Sequence, residues 1–195
     1  MSMTVLADAI GPREGTARLA KQAVLVVLGI AALAIAAKIK VPMWPVPITM
    51  GTFAVLSLGT AYGARLGLVT MLGYLLVGAL GFDVFATSSA EKFGLTYMMG
   101  GTGGYLVGYL MATVMLGALA ARGWDRSFGK MALALVLANV LIYVPGLLWL
   151  GQLYGWDKPI LQWGLTPFLV GDALKLVLAA VLIPGLWKLV GNARG

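Results

Sequence analysis

Between Lys21 and Lys38 the chain carries no charged residue, and apolar blocks of similar length recur from there almost to its end. A helix crossing the hydrocarbon core of a bilayer needs about 20 such residues. The sequence is 61% apolar and only 11% charged, against about 25% charged in a soluble domain. These runs therefore predict an all-α integral membrane protein, and 195 residues leave no room for a soluble domain beside it. The absence of cysteine and histidine removes disulfides, Cys- or His-based metal sites and Cys or His catalysis. The net charge of +7 does not mark a nucleic-acid protein, because the basic residues are scattered at segment ends.

Six spans are expected, at about 19–39, 48–62, 64–81, 100–121, 131–150 and 166–190. The second and third are each short of a full crossing, but together they exceed 30 residues and hold Gly63 and Arg65 at their centre. Two spans fit that better than one. Pro42, Pro45 and Pro47 cannot continue a helix, so 41–47 reads as a stiff, structured loop. The chain thus divides into an N-terminal segment (1–18), one six-helix membrane domain (19–190) and a short tail (191–195).

An even number of spans puts both termini on one side. Arg13, Arg18, Lys21, Arg65, Arg122, Arg126, Lys130, Lys188 and Arg194 fall there, against Lys38, Lys40, Lys92 and Lys158 opposite. The positive-inside rule makes the termini cytoplasmic. Trp44, Trp149, Trp156 and Trp163 then lie near the outer interface, and Trp124 and Trp187 near the inner one, as an aromatic belt requires. Small residues recur every fourth position, at Ala32 and Ala36, at Gly59, Gly63 and Gly67, and from Gly100 through Gly104 and Gly108 to Ala112. They allow close helix approach. Packing inside this chain accounts for them; for Ala32 and Ala36, docking to another membrane subunit is the alternative.

The last span holds Asp172 and Lys175. Residues three apart share a helix face, and a charge at mid-membrane costs about 2.5–3.5 kcal/mol on insertion scales. Three readings stay open for the pair: a self-neutralising structural bridge, a clamp for a polar small molecule, or a proton relay. The apolar bodies of the second to fifth spans hold no ionisable partner, which tells against a relay. GGTGG at 100–104 lacks the Lys-Ser/Thr and the preceding strand of a phosphate loop. Ser57, Ser88 and Ser89 have no histidine base, and no spacing recommends a serine–lysine pair with Lys92 or Lys175. Asp83, Glu91 and Asp157 read as solvated loop charges. No catalytic set emerges, and no enzyme is expected.

Four patches together, PVPITMGTFAVL (45–56), GFDVFATSS (81–89), GGTGGYLVGYL (100–110) and PFLVGDALKLVLAA (167–180), resemble the BioY family. These are the biotin-specific substrate-binding (S) components of energy-coupling-factor (ECF) transporters. Their order and spacing agree over roughly residues 20–190. The resemblance implies an ECF S-component-like bundle in a bacterial plasma membrane. It would capture biotin from outside and deliver it inward, with a transmembrane coupling subunit and two cytoplasmic ATPases as partners. No cofactor is implied, since ATP would be hydrolysed by those subunits. An autonomous ion-coupled or facilitative transporter of biotin or another small vitamin is the alternative. By the same resemblance the ligand site includes Asp172, Lys175, Trp44, Thr49, Phe85, Ala86, Thr87, Tyr97 and Gly103, and Ala32 with Ala36 docks the coupling subunit. Gly51, Thr87 and Gly101 depart from residues common among relatives.

Overall fold

The computed structural model describes residues 4–12, 14–42, 44–87 and 93–192. Ser88, Ser89, Glu91 and Lys92, with Arg13 and Arg194 of the charge count, lie outside them. Eight α-helices follow in chain order: α1 (Leu6–Ala9), α2 (Gly15–Lys38), α3 (Gly51–Ala79), α4 (Gly94–Met98), α5 (Gly103–Ala120), α6 (Phe128–Tyr154), α7 (Ile160–Gly164) and α8 (Leu169–Asn192). A two-stranded antiparallel ribbon, β1 (Lys40–Val41) and β2 (Ile48–Thr49), joins α2 to α3 and pairs Lys40 with Thr49. The stiff loop expected there is therefore a strap with its own ladder. Helix α2 starts four residues ahead of the expected span, at Gly15.

Among the described residues, five helical stretches are long and apolar enough to cross a membrane, with Gly51–Ala79 counted as one. That stretch is broken at Gly63, whose φ of 77° and ψ of 171° lie outside the helical region. The break is a reversal. A Cβ on Gly67 would stand 3.7 Å from the Gly59 Cα, whereas eight residues of straight helix advance about 12 Å. The limbs 51–62 and 64–79 therefore run back along one another. Glycine is required at the turn because the positive φ strains any residue with a Cβ.

Helix α5 packs against both limbs and α6. The Ile142 Cα lies 2.6 Å from where a Gly108 Cβ would sit, and the Pro145 carbonyl occupies the equivalent place at Gly104. At the far end of α5, the backbone of Gly63 and Ala64 fills the position of a Gly117 Cβ. The small stripe thus works inside the chain, as its spacing suggests. Pro145 lies inside α6, and its carbonyl approaches α5 where that helix has Gly104.

The N-terminal segment is part of this packing. Val5 sits 3.2 Å from the Cβ position of Gly63, Leu6 and Ala9 are buried, and Lys21 Nζ donates to the carbonyls of Ala7 and Ile10, each at 3.0 Å. At the same end, Asp125 in the 3-10 turn Trp124–Arg126 is fully buried. The Trp187 indole donates to its Oδ2 at 2.5 Å, Oδ1 has no hydrogen-bond partner among the described residues, and the Arg126 guanidinium lies 4.3 Å over the Trp187 ring. Burial pushes the Asp125 carboxyl above its ordinary value of 3.8, the Trp187 hydrogen bond opposing that shift. A raised acid contributes most below its unfolded value, and its contribution is lost as pH rises through the folded value. Asp125→Asn, which keeps an acceptor for Trp187, should therefore flatten the decline in thermal stability from near pH 4 upward. Unfolding midpoints of both proteins across that range in detergent check this.

Candidate functional site

The strap, α2, α3, α4, α5, α6, α8 and the loop residues Phe85 and Ala86 enclose a cavity with about 700 Å³ between its walls, its open mouth included. Seven aromatic rings line it: Tyr74, Phe85, Tyr97, Tyr105, Tyr109, Tyr143 and Phe168.

Each ring is held by something specific. Phe85 stacks on Tyr97 at 4.8 Å and meets Tyr74 edge-on at 5.4 Å. Gly78 leaves the room that the Phe85 ring fills, and Gly146 does the same for Tyr105. The Tyr74 hydroxyl donates to the Val84 carbonyl at 3.0 Å, and that of Tyr105 to the Gly164 carbonyl at 2.7 Å. A buried hydroxyl needs such a partner. Two lysines fix the loop from outside: Lys38 Nζ reaches the Phe85 carbonyl at 2.7 Å and Asp83 at 2.5 Å, and Lys40 Nζ donates to the Ala86 carbonyl. Asp83, read from the sequence as a solvated charge, has a partner.

The ion pair lies at the α8 side. Lys175 Nζ is 2.9 Å from Asp172 Oδ1 and 2.6 Å from the Thr49 carbonyl, while the Tyr143 hydroxyl donates to Asp172 Oδ2 at 2.5 Å. Both residues are buried, at 7% and 8% exposed. Tyr143 and Lys175 offset the desolvation of the carboxylate, and the Thr49 carbonyl helps offset that of the ammonium. The site thus presents a carboxylate acceptor and an ammonium donor in a setting poor in water, where each hydrogen bond is stronger than in solution.

Of the residues expected at a ligand site, Asp172, Thr49, Phe85, Ala86 and Tyr97 line this cavity, and Lys175 is bonded to the first two. Trp44, Thr87 and Gly103 are not among the lining residues. Trp44 is 66% exposed and packs edge-on against Tyr154 and Trp163, at 5.4 and 5.1 Å. Thr87 is exposed, and Gly103 packs against Trp149. The sequence reading missed Tyr105, Tyr109 and Tyr143. Their signal is that a tyrosine deep in an apolar span must spend its hydroxyl somewhere, and Tyr105 and Tyr109 share one face of α5. On α2, the face turned to α3 carries Gly29, Leu33 and Ala37. Ala32 is exposed and Ala36 half-buried, so packing within the chain does not account for Ala32.

A bundle of membrane-length helices closed around an aromatic cavity with a fixed ion pair defines a small-molecule-binding membrane protein. Its fold is similar to that of a solved protein described as the S-component for biotin from an ECF-type ABC transporter. The TM-score is 0.73 at 20% identity, over 90% of this chain and 95% of the other. Residues 4–192 match the BioY family, and the chain belongs to it. A Pyrococcus horikoshii protein named probable biotin transporter BioY is 34% identical over 89% of this chain and 98% of its own. The biotin transporter BioY of Thermotoga maritima is 32% identical over 82% and 91%. These relatives are named as transporters, not enzymes.

Proposed function

We propose that the protein captures biotin from outside the cell and delivers it inward, as the substrate-specific subunit of an ATP-driven ECF transporter in the plasma membrane. The observation that carries this is the Asp172–Lys175 pair at the edge of an enclosed aromatic cavity beneath the strap. Biotin has a ureido ring with two N–H donors and a carbonyl, a thioether ring, and an aliphatic tail ending in a carboxylate. The Asp172 carboxylate lines the cavity and the Lys175 ammonium is bonded to it, so the pair offers an acceptor and a donor to one pole of biotin, and the aromatic walls suit the bicyclic ring and tail.

In this reading each limb of α3 is one crossing. Six crossings then place both termini, with Arg65, Arg122, Arg126 and Lys130, in the cytoplasm. The reversal at Gly63 supports that count, and the strap faces outward. The purified chain should bind biotin without ATP. Calorimetric titration against biotin and other vitamins tests this, and no response to biotin would overturn it. Biotin uptake by liposomes carrying this chain alone, collapsing with the ion gradient, would favour autonomous transport instead.

The coupling subunit and its two ATPases would supply the energy, docking on the outward face of α2 at Ala32 and Ala36. Ala32→Leu should leave biotin binding unchanged and impair ATP-driven uptake when the partners are co-expressed. Undiminished uptake by that variant would remove the docking assignment.

A further inference from the structure

At the end of the bundle away from the strap, a groove runs between the first turns of α2 and the second limb of α3. About 1320 Å³ lies between its walls, open solvent included, and it is lined by Arg18, Leu19 and Gln22 on one side and Arg65, Leu66 and Val69 on the other. Among the described residues neither guanidinium has an ion-pair partner, and no hydrogen bond from either is found. Glu14 also borders the groove, so two cations face one carboxylate. Past the arginines the walls turn apolar and stay exposed: Leu19 at 66% and Val69 at 54%, followed along α3 by Leu72 and Leu76.

We infer that this groove binds an anionic phospholipid, its phosphate between Arg18 and Arg65 and an acyl chain along Leu19 and Val69. A guanidinium fork matches phosphate oxygens. The excess positive charge favours an anionic headgroup over one carrying its own ammonium. A soluble anion would leave the apolar walls uncovered, whereas a lipid covers them and satisfies the arginines together. Basic pockets between membrane helices are suited to such headgroups. The N-terminal segment borders the same turn through Val5 on Gly63, so an occupied groove would brace the end of the bundle where α1, α2 and α3 meet.

The test uses the full chain, delipidated in neutral detergent and titrated with phosphatidylglycerol or phosphatidylcholine, with lipid retention read by native mass spectrometry and stability by thermal unfolding. Phosphatidylglycerol should be retained selectively and raise the unfolding midpoint. In Arg18→Gln/Arg65→Gln its apparent affinity should fall by about twenty- to thirty-fold, while Arg122→Gln, a basic change at the same end outside the groove, stays like the parent. Arg18→Lys/Arg65→Lys should retain part of the affinity, which checks that the glutamine variant has not merely misfolded. Equal retention of phosphatidylcholine, undiminished retention in the glutamine double variant, or an equal loss in Arg122→Gln would overturn the assignment. So would an identical midpoint shift from inorganic phosphate alone, which would mark a soluble-anion site.

Discussion

Lys175→Ala is expected to weaken biotin binding by about 1.5–3 kcal/mol, roughly ten- to a hundred-fold, the scale of a hydrogen bond to a charged group. It should also cost stability, because it leaves Asp172 buried with Tyr143 as its remaining hydrogen-bond partner. Breaking one side of a buried pair costs about 3–5 kcal/mol where the other charge stays uncompensated. Asp172→Asn should lose comparable affinity while keeping an acceptor for Tyr143. The double variant Asp172→Asn/Lys175→Met separates the two effects. With both charges gone, unfolding should return towards the parent, whereas affinity should not. Calorimetry on folded single variants that gave the parental affinity in both would remove the pair from the site.

The second large effect lies far from the cavity. Gly117→Ala should destabilise the bundle by at least about 3 kcal/mol, the upper part of the range for overpacking. The atoms in the way are the backbone of Gly63 and Ala64, which cannot rotate aside as a side chain can. They also form the turn of α3, so the strain falls where the chain has least freedom. Gly129→Ala is the control. Nothing lies within 4 Å of its Cβ position, and a glycine replaced at an open helical site gains about 0.4–1 kcal/mol. Thermal unfolding in one detergent, with retained monomer as a second readout, distinguishes the pair. Parental stability in Gly117→Ala would mean that the two helices can separate without loss.

The contrast between these two positions shows what a reader of the residues alone can obtain. Asp172 and Lys175 stand out because charge in an apolar run is costly wherever the helix lies, so their importance is visible before any neighbour is known. Gly63 is legible for a similar reason, as an interruption beside Arg65. Gly117 is not, because it lies off the small stripe that ends at Ala112, and its role depends on what faces it. Tyr109 and Tyr143 look like ordinary membrane aromatics until the cavity joins six helices and the strap. Trp44 shows the opposite failure. An aromatic beside a ligand loop suggests a ring-stacking contact, yet its neighbours Tyr154 and Trp163 come from sequence more than 100 residues away, beyond what local spacing can report. Lys38 and Lys40, counted for topology, also serve as fasteners for the loop they face.

Besides the ion pairs of Lys38 with Asp83 and of Lys175 with Asp172, these lysines act on main chain. Lys175 bonds the carbonyl of Thr49, Lys38 that of Phe85 and Lys40 that of Ala86. A carbonyl is present whatever the side chain is. These three hydrogen bonds therefore survive exchange of the side chains at 49, 85 and 86, although the Phe85 ring also fills the space beside Gly78 and Thr49 Oγ1 also accepts from the Gly51 N–H. Closure of the cavity and choice of its occupant are thus written in different atoms at the same positions. A designer seeking to redirect this scaffold to another small molecule should vary Ala86 first, keep the Phe85 ring that packs beside Gly78, and leave the three lysines alone.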